Sequence, residues 1–265
     1  MTTAITKSNW SRQETLAALH VYMQLSYGQL HARNALIKQF AAWIGRTANS
    51  VALKLVNFAS LDPQILASGR KGMGNASALD RSIWNDLSKH WTSITLEAAS
   101  EYENLAINNG ISPLVDVADD LAGEGLELPA GKTRSATVQV RVNQARFRRA
   151  VLASYNNTCC ISGLMSPKLL VASHIVPWSV DQENRLNPRN GLCLSALHDR
   201  AFDQGLISIS NEGKVLMSKS MMTLESGSTF ATQFLSCRDS IVQIPERFAP
   251  DSAFLRWHRE NIFTP

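Results

Sequence analysis

Two short apolar runs, LLVAS over residues 169–173 and GLCLS over 191–195, constrain this chain more than anything else in it. Both are too short for a stable helix, and their residues suit strands buried on one or both faces. Between them lies an irregular polar stretch rich in Asn and Arg, and Pro177 stops regular structure soon after the first run. The segment ALHDRAFD follows the second run directly and reads as the start of a helix. Strand, loop, returning strand and helix make a local α+β unit that brings His174 and His198 together.

Such a layout holds one imidazole ready as a general base and uses another group to fix a cation. Cleavage of a phosphodiester requires both services. The attacking water must lose a proton, for which a neutral histidine has a suitable pKa. Charge developing on the phosphate and the leaving oxygen must be neutralised, which a hard divalent cation does well.

Flanking residues extend the pattern: CCISG from Cys159, SHIVPW from Ser173, NRLNPRNGLCL from Asn184 and LHDRAFDQG from Leu197. Together they resemble the HNH nuclease family, whose fold is the ββα-metal finger. They are similar in particular to a branch found in bacterial restriction-type endonucleases, over about residues 131–218, and the tail IPERFAP followed by FLRWHRENIF is similar to the ending of these proteins.

The resemblance implies that His174 is the general base, that Asn190 braces the loop and keeps His174 oriented, and that His198 ligates a catalytic Mg²⁺ or Mn²⁺. Many HNH nucleases carry a metal-binding Asp immediately before the base, where this chain has Ser173. Asp203 is the first candidate for the missing acid and Asp199 the second. Many also carry a structural zinc on paired Cys-x-x-Cys motifs. Here Cys159 and Cys193 take the first positions, but Ser162 and Ala196 stand three residues on. Two thiolates make a poor tetrahedral site, so no structural zinc is expected.

The implied activity is metal-dependent hydrolysis of double-stranded DNA, leaving a 5′-phosphate and a 3′-hydroxyl, in a restriction-type defence enzyme. A homodimer is expected, because double-strand cutting by this mechanism commonly requires two active sites. Two alternatives stand beside it: a non-catalytic DNA-binding or regulatory protein, and an activated toxin or effector nuclease.

Upstream the chain reads as helical. Residues 10–40 suggest one helix, with Ser11 and Glu14 spaced as a capping box. Next, Ala41 to Ile44, Gly45, and a helix starting at Asn49 or Ser50 give the pattern of a helix-turn-helix reader. Arg46, Thr47, Asn49, Ser50 and Lys54 would then face DNA. SGRKGMGNAS offers Arg70 and Lys71 to phosphates but lacks P-loop spacing. TVQVRVN alternates as a strand does, and Asn143 is placed to cap a helix running to about Tyr155.

Net charge is +4, and its distribution says more than the total. Lys132, Arg134, Arg141, Arg146, Arg148 and Arg149 form a basic stretch without an acidic residue, suited to phosphate contacts. The composition, 45% hydrophobic and 18% charged, excludes a disordered chain. No apolar run approaches a membrane span, the first residues lack a signal-peptide core, and four cysteines in a chain of this length do not form a disulfide framework. A cytoplasmic protein without a membrane partner is expected. The expected organisation is α+β: a helical N-terminal region over 1–107, a connecting segment over 108–130, and a ββα-metal HNH nuclease module over 131–265.

Overall fold

The computed structural model describes residues 9–69, 75–111, 132–223 and 227–265. Arg70, Lys71 and most of the expected connecting segment lie outside them. The chain divides into two compact units, Met1–Ala150 and Val151–Pro265. The first is helical and the second mixes short strands with helices, as the α+β reading anticipates.

In the first unit, helix α1 (Arg12–Gln24) starts on a complete capping box, with Ser11 Oγ accepting from the Glu14 amide at 3.0 Å and Glu14 accepting from the Ser11 amide at 2.9 Å. The expected single helix over 10–40 is in fact two. Leu25 turns extended, Ser26 and Gln29 close a second capping box around a 3₁₀ turn, and Asn34 caps α2 (Ala35–Trp43). Apolar spacing runs on through this gap, but three polar cap residues satisfy the backbone better outside a helix.

Gly45, at φ +62°, makes the turn into α3 (Ala48–Ala59), and Thr47 supplies the cap in place of Asn49 or Ser50. Helices α4 (Pro63–Ala67), α5 (Ala78–Lys89) and α6 (Trp91–Asn108) follow. Helix α1 packs on α3, α5 and α6 around a core that includes Leu19, Tyr22, Phe40, Phe58 and Leu87.

Helix α7 (Lys132–Ser154) corrects the strand expected over TVQVRVN. A strand would place Val140 and Val142 on one face, yet Val140 is 42% exposed and Val142 only 6%. Asn143 is therefore mid-helix rather than a cap, and its Oδ1 accepts from Arg146 at 2.7 Å.

The second unit is built on the antiparallel pair β1 (Leu170–His174) and β2 (Gly191–Ser195), in a register that sets His174 opposite Gly191 and Leu170 opposite Ser195. Helix α8 (Ala196–Asp203) leaves β2 without a loop, because Ser195 both ends the strand and caps the helix. A hairpin of β3 (Ile207–Ile209) and β4 (Val215–Met217) comes next, then the short helices α9 (Lys219–Met222) and α10 (Ser228–Gln233), and finally α11 (Ser252–Asn261), capped by Asp251.

His258 of α11 is fully buried, stacked on Phe202 at 3.6 Å and hydrogen-bonded to Ser208 Oγ and the Phe202 carbonyl. At the end of α8, Gly205 has φ +66°, and the C-terminal tail lies so close that a Cβ there would meet the Ile262 carbonyl oxygen at 2.1 Å. Among the described residues, no helix is long and apolar enough to cross a membrane.

Candidate active site

The last residue of β1, His174, lines a cavity of about 450 Å³ together with Ser173, Trp178, Asp199, Asp203, Gln204 and Ile262. Its Nε2 lies 3.0 Å from the Arg185 carbonyl. A carbonyl only accepts, so Nε2 carries the proton and Nδ1 is the basic nitrogen of the neutral ring. Burial lowers the His174 pKa to about 4, with the Arg185 hydrogen bond opposing that shift, so the ring is neutral at ordinary pH.

Asn190, fully buried, clamps the chain just after the base. Its Oδ1 accepts from the Val176 amide at 2.8 Å and its Nδ2 donates to the Val176 carbonyl at 3.0 Å. The same Nδ2 reaches the Asn184 carbonyl at 3.4 Å, and the Ile175 amide donates to the Asn190 carbonyl. One amide side chain thus ties the start of the loop between β1 and β2, just after the histidine, to its middle.

His198 is elsewhere. It is 1% exposed and does not line the cavity. Its Nε2 meets the Gln233 carbonyl at 2.8 Å, while Nδ1 meets Ser195 Oγ at 2.9 Å and Cys159 Sγ at 3.8 Å. Burial alone would lower its pKa, but the contacts with Cys159 and the Gln233 carbonyl raise it. Burial pushes the Cys159 thiol up, and hydrogen bonds with His198 and Ser162 bring it down to about 6. The reason for this placement is helix phase. His198, Ala201 and Phe202 form the buried stripe of α8, and the next residue round, about 100° away, is Asp199.

Asp199 and Asp203, four residues apart on α8, share the cavity-facing side. Burial raises the pKa of Asp199, against pulls from Ser173 and Arg200. Burial and then repulsion from Asp199 raise that of Asp203. The Ser173 hydroxyl is buried beside Asp199, whose carboxylate it favours, although the contact falls short of good hydrogen-bond geometry among the described residues.

Among the described residues, no group of three or more His, Cys, Asp or Glu is arranged to hold a metal. Even so, two mutually repelling carboxylates and a buried hydroxyl beside them are hard oxygen donors. They fit a magnesium-like ion, which keeps several waters and takes one or two carboxylates plus substrate phosphate.

The helix-turn-helix residues divide. Thr47 and Asn49 are exposed. Lys54, expected to face DNA, is instead 5% exposed and paired with the buried Asp80 at 2.6 Å. It lies on the same side of α3 as Val51, Leu55 and Phe58, which the core claims. Arg46 is held by Glu14 at 2.9 Å and by the Asn9 carbonyl at 3.0 Å, and the Trp10 ring lies under both cations. On α7, Arg141, Arg146, Arg148 and Arg149 are all half-buried, and Arg146 is bound to Glu103 and Asn143. Burial, then the charges of Arg146 and Arg149, holds His20 at about 3.

Two antiparallel strands, a buried asparagine clamp and a following helix with carboxylates beside a neutral imidazole define a ββα arrangement. The HNH endonuclease family HNH_2 matches residues 159–210, which contain every one of those elements, and an HNH_2 domain is present there. No curated protein matches the chain. Trp178 and Gln204, which line the cavity, carry no signal of their own in the sequence, and Asp199 lines it alongside Asp203, the first candidate. The Ala201, Phe202 and Gly205 spacing was the available signal for the phase of α8.

Proposed function

We propose that this protein is a metal-dependent DNA endonuclease of the restriction type, with its centre at His174, Asp199 and Asp203. The observation that carries the reading is His174 itself. It is neutral, its proton is committed to the Arg185 carbonyl, and it lines one cavity with two carboxylates. In this reading His174 Nδ1 takes the proton from an attacking water, and Asn190 keeps the ring in place through Val176 and Asn184.

Asp199 and Asp203 would hold the divalent cation, Mg²⁺ or Mn²⁺, with Ser173 at its edge. The cation-facing role therefore passes from His198 to Asp199. Such an ion, when bound, neutralises charge developing on the phosphate and the leaving oxygen. The cavity volume of about 450 Å³ suits a phosphodiester and its flanking sugars.

The exposed Thr47 and Asn49, with Arg141, Arg146, Arg148 and Arg149 of α7, are the proposed DNA contacts outside this centre. Arg46 and Lys54 are engaged within the helical unit by Glu14 and Asp80. Cutting both strands calls for two centres, so the working form is a homodimer.

The test is cleavage of modified and unmodified plasmid and phage DNA with Mg²⁺ or Mn²⁺, comparing wild type with His174→Ala. Loss of the general base should slow cleavage about 10²- to 10⁴-fold. Equal cutting by both proteins overturns the mechanism. Binding without cutting by either favours a non-catalytic DNA-binding protein, the reading to which Ser173 in the acid position would then point.

A further inference from the structure

Resting on that function, we propose that Arg185 is a positioning residue, whose guanidinium fixes the carbonyl that decides which nitrogen of His174 is basic. A carbonyl in the middle of the Ile175–Arg189 loop can set a tautomer only if the loop is held still there. Asn190 holds the loop one residue earlier, at Asn184, and Asn184 is itself bound to Asp181 by its amide at 3.1 Å and its side chain at 2.8 Å.

Arg185 closes the remaining gap with its own side chain. Its Nε donates to the Trp178 carbonyl at 2.7 Å, and its guanidinium lies over the Trp178 ring at 5.3 Å. The indole meets the His174 ring at 5.5 Å and 89°, edge to face. Three residues thus form a closed circuit: imidazole N–H to the Arg185 carbonyl, Arg185 Nε–H to the Trp178 carbonyl, and indole against imidazole.

The competing role for an arginine near such a centre is a phosphate contact, and bond counting separates the two. Gln places its amide nitrogen the same number of bonds from Cα as Arg places Nε, so it can keep the bond to the Trp178 carbonyl. Lys has a methylene at that point but retains the charge. Arg185 is also absent from the cavity wall, which favours positioning over contact with the scissile phosphate.

The experiment compares Arg185→Ala, Arg185→Gln and Arg185→Lys by proton NMR of the His174 Nε2–H and by cleavage rate at saturating DNA. Wild type should show a slowly exchanging, hydrogen-bonded imidazole resonance. Arg185→Ala and Arg185→Lys should lose it and cut about 10- to 100-fold more slowly, the scale expected for a misplaced catalytic group. Arg185→Gln should keep the resonance and stay within a few-fold of wild type.

Rescue by Lys but not Gln, with a changed KM and salt dependence, overturns positioning in favour of a phosphate contact. An unchanged resonance in Arg185→Ala also overturns it. Because the resonance needs neither metal nor DNA, it decides the role of Arg185 even if no variant, wild type included, cuts DNA. That last outcome would sink the nuclease reading alone.

Discussion

Gly205 is where the end of α8 meets the C-terminal tail, and Gly205→Ala should be among the most damaging single-methyl additions in the Val151–Pro265 unit. Two costs combine. A left-handed backbone at φ +66° disfavours any β-carbon by about 1–2 kcal/mol. The new methyl would also stand 2.1 Å from the Ile262 carbonyl oxygen, against an ordinary contact of 3.4 Å or more, so the tail backbone must retreat by over an ångström. Forced repacking of that kind costs about 1–3 kcal/mol. Together these give roughly 2–5 kcal/mol, or a fall in Tm on the order of 10 °C for a unit of this size.

Differential scanning calorimetry of the whole chain, following the transition of this unit, reads it directly. Gly205→Asn separates the two costs, because Asn tolerates the left-handed region but still carries the offending carbon. It should lose most of what Ala loses. A Tm within about 2 °C of wild type for Gly205→Ala would refute the close approach described for the tail.

Two further predictions separate structure from chemistry in the same unit. His198→Ala should destabilise it by about 2–4 kcal/mol, since Cys159, Ser195 and the Gln233 carbonyl lose a buried partner, whereas Asp199→Asn should leave the melting curve within about 1 kcal/mol and abolish most cleavage; the reverse pattern would return the metal role to His198. His258 is held neutral by burial to about 4, below its unfolded value of 6.5, so its contribution is full above pH 6.5 and lost as pH falls towards 4, by about 3 kcal/mol. Tm measured across that window should drop for wild type and less steeply for His258→Phe, and parallel curves would show that this histidine is not the sensor.

The ββα segment was legible because its strands are bounded by punctuation and its helix begins on a Ser that is also the last residue of a strand. What sequence proximity could not decide was helix phase. His198 and Asp199 are neighbours, and only the burial of Ala201 and Phe202 tells which of the two turns inward. The burial of Lys54 was hidden for the mirror-image reason. Its position on the apolar side of α3 was visible, but its partner Asp80 lies on another helix, and no local pattern announces a long-range ion pair. The valines of TVQVRVN misled because alternation over a few residues also fits a helix in which only some valines reach the core. Arg185 was invisible as an orienting group, since its main chain and its side chain act on different partners.

Trp10 stands ahead of the first helix, yet its ring backs both Arg46 and Lys54. Shortened versions designed to begin at Arg12, where regular structure starts, would discard that indole and leave a buried ammonium and a tethered guanidinium facing solvent gaps. The practical boundary of the recombinant fragment is therefore set by an aromatic plate and not by the onset of helical hydrogen bonding.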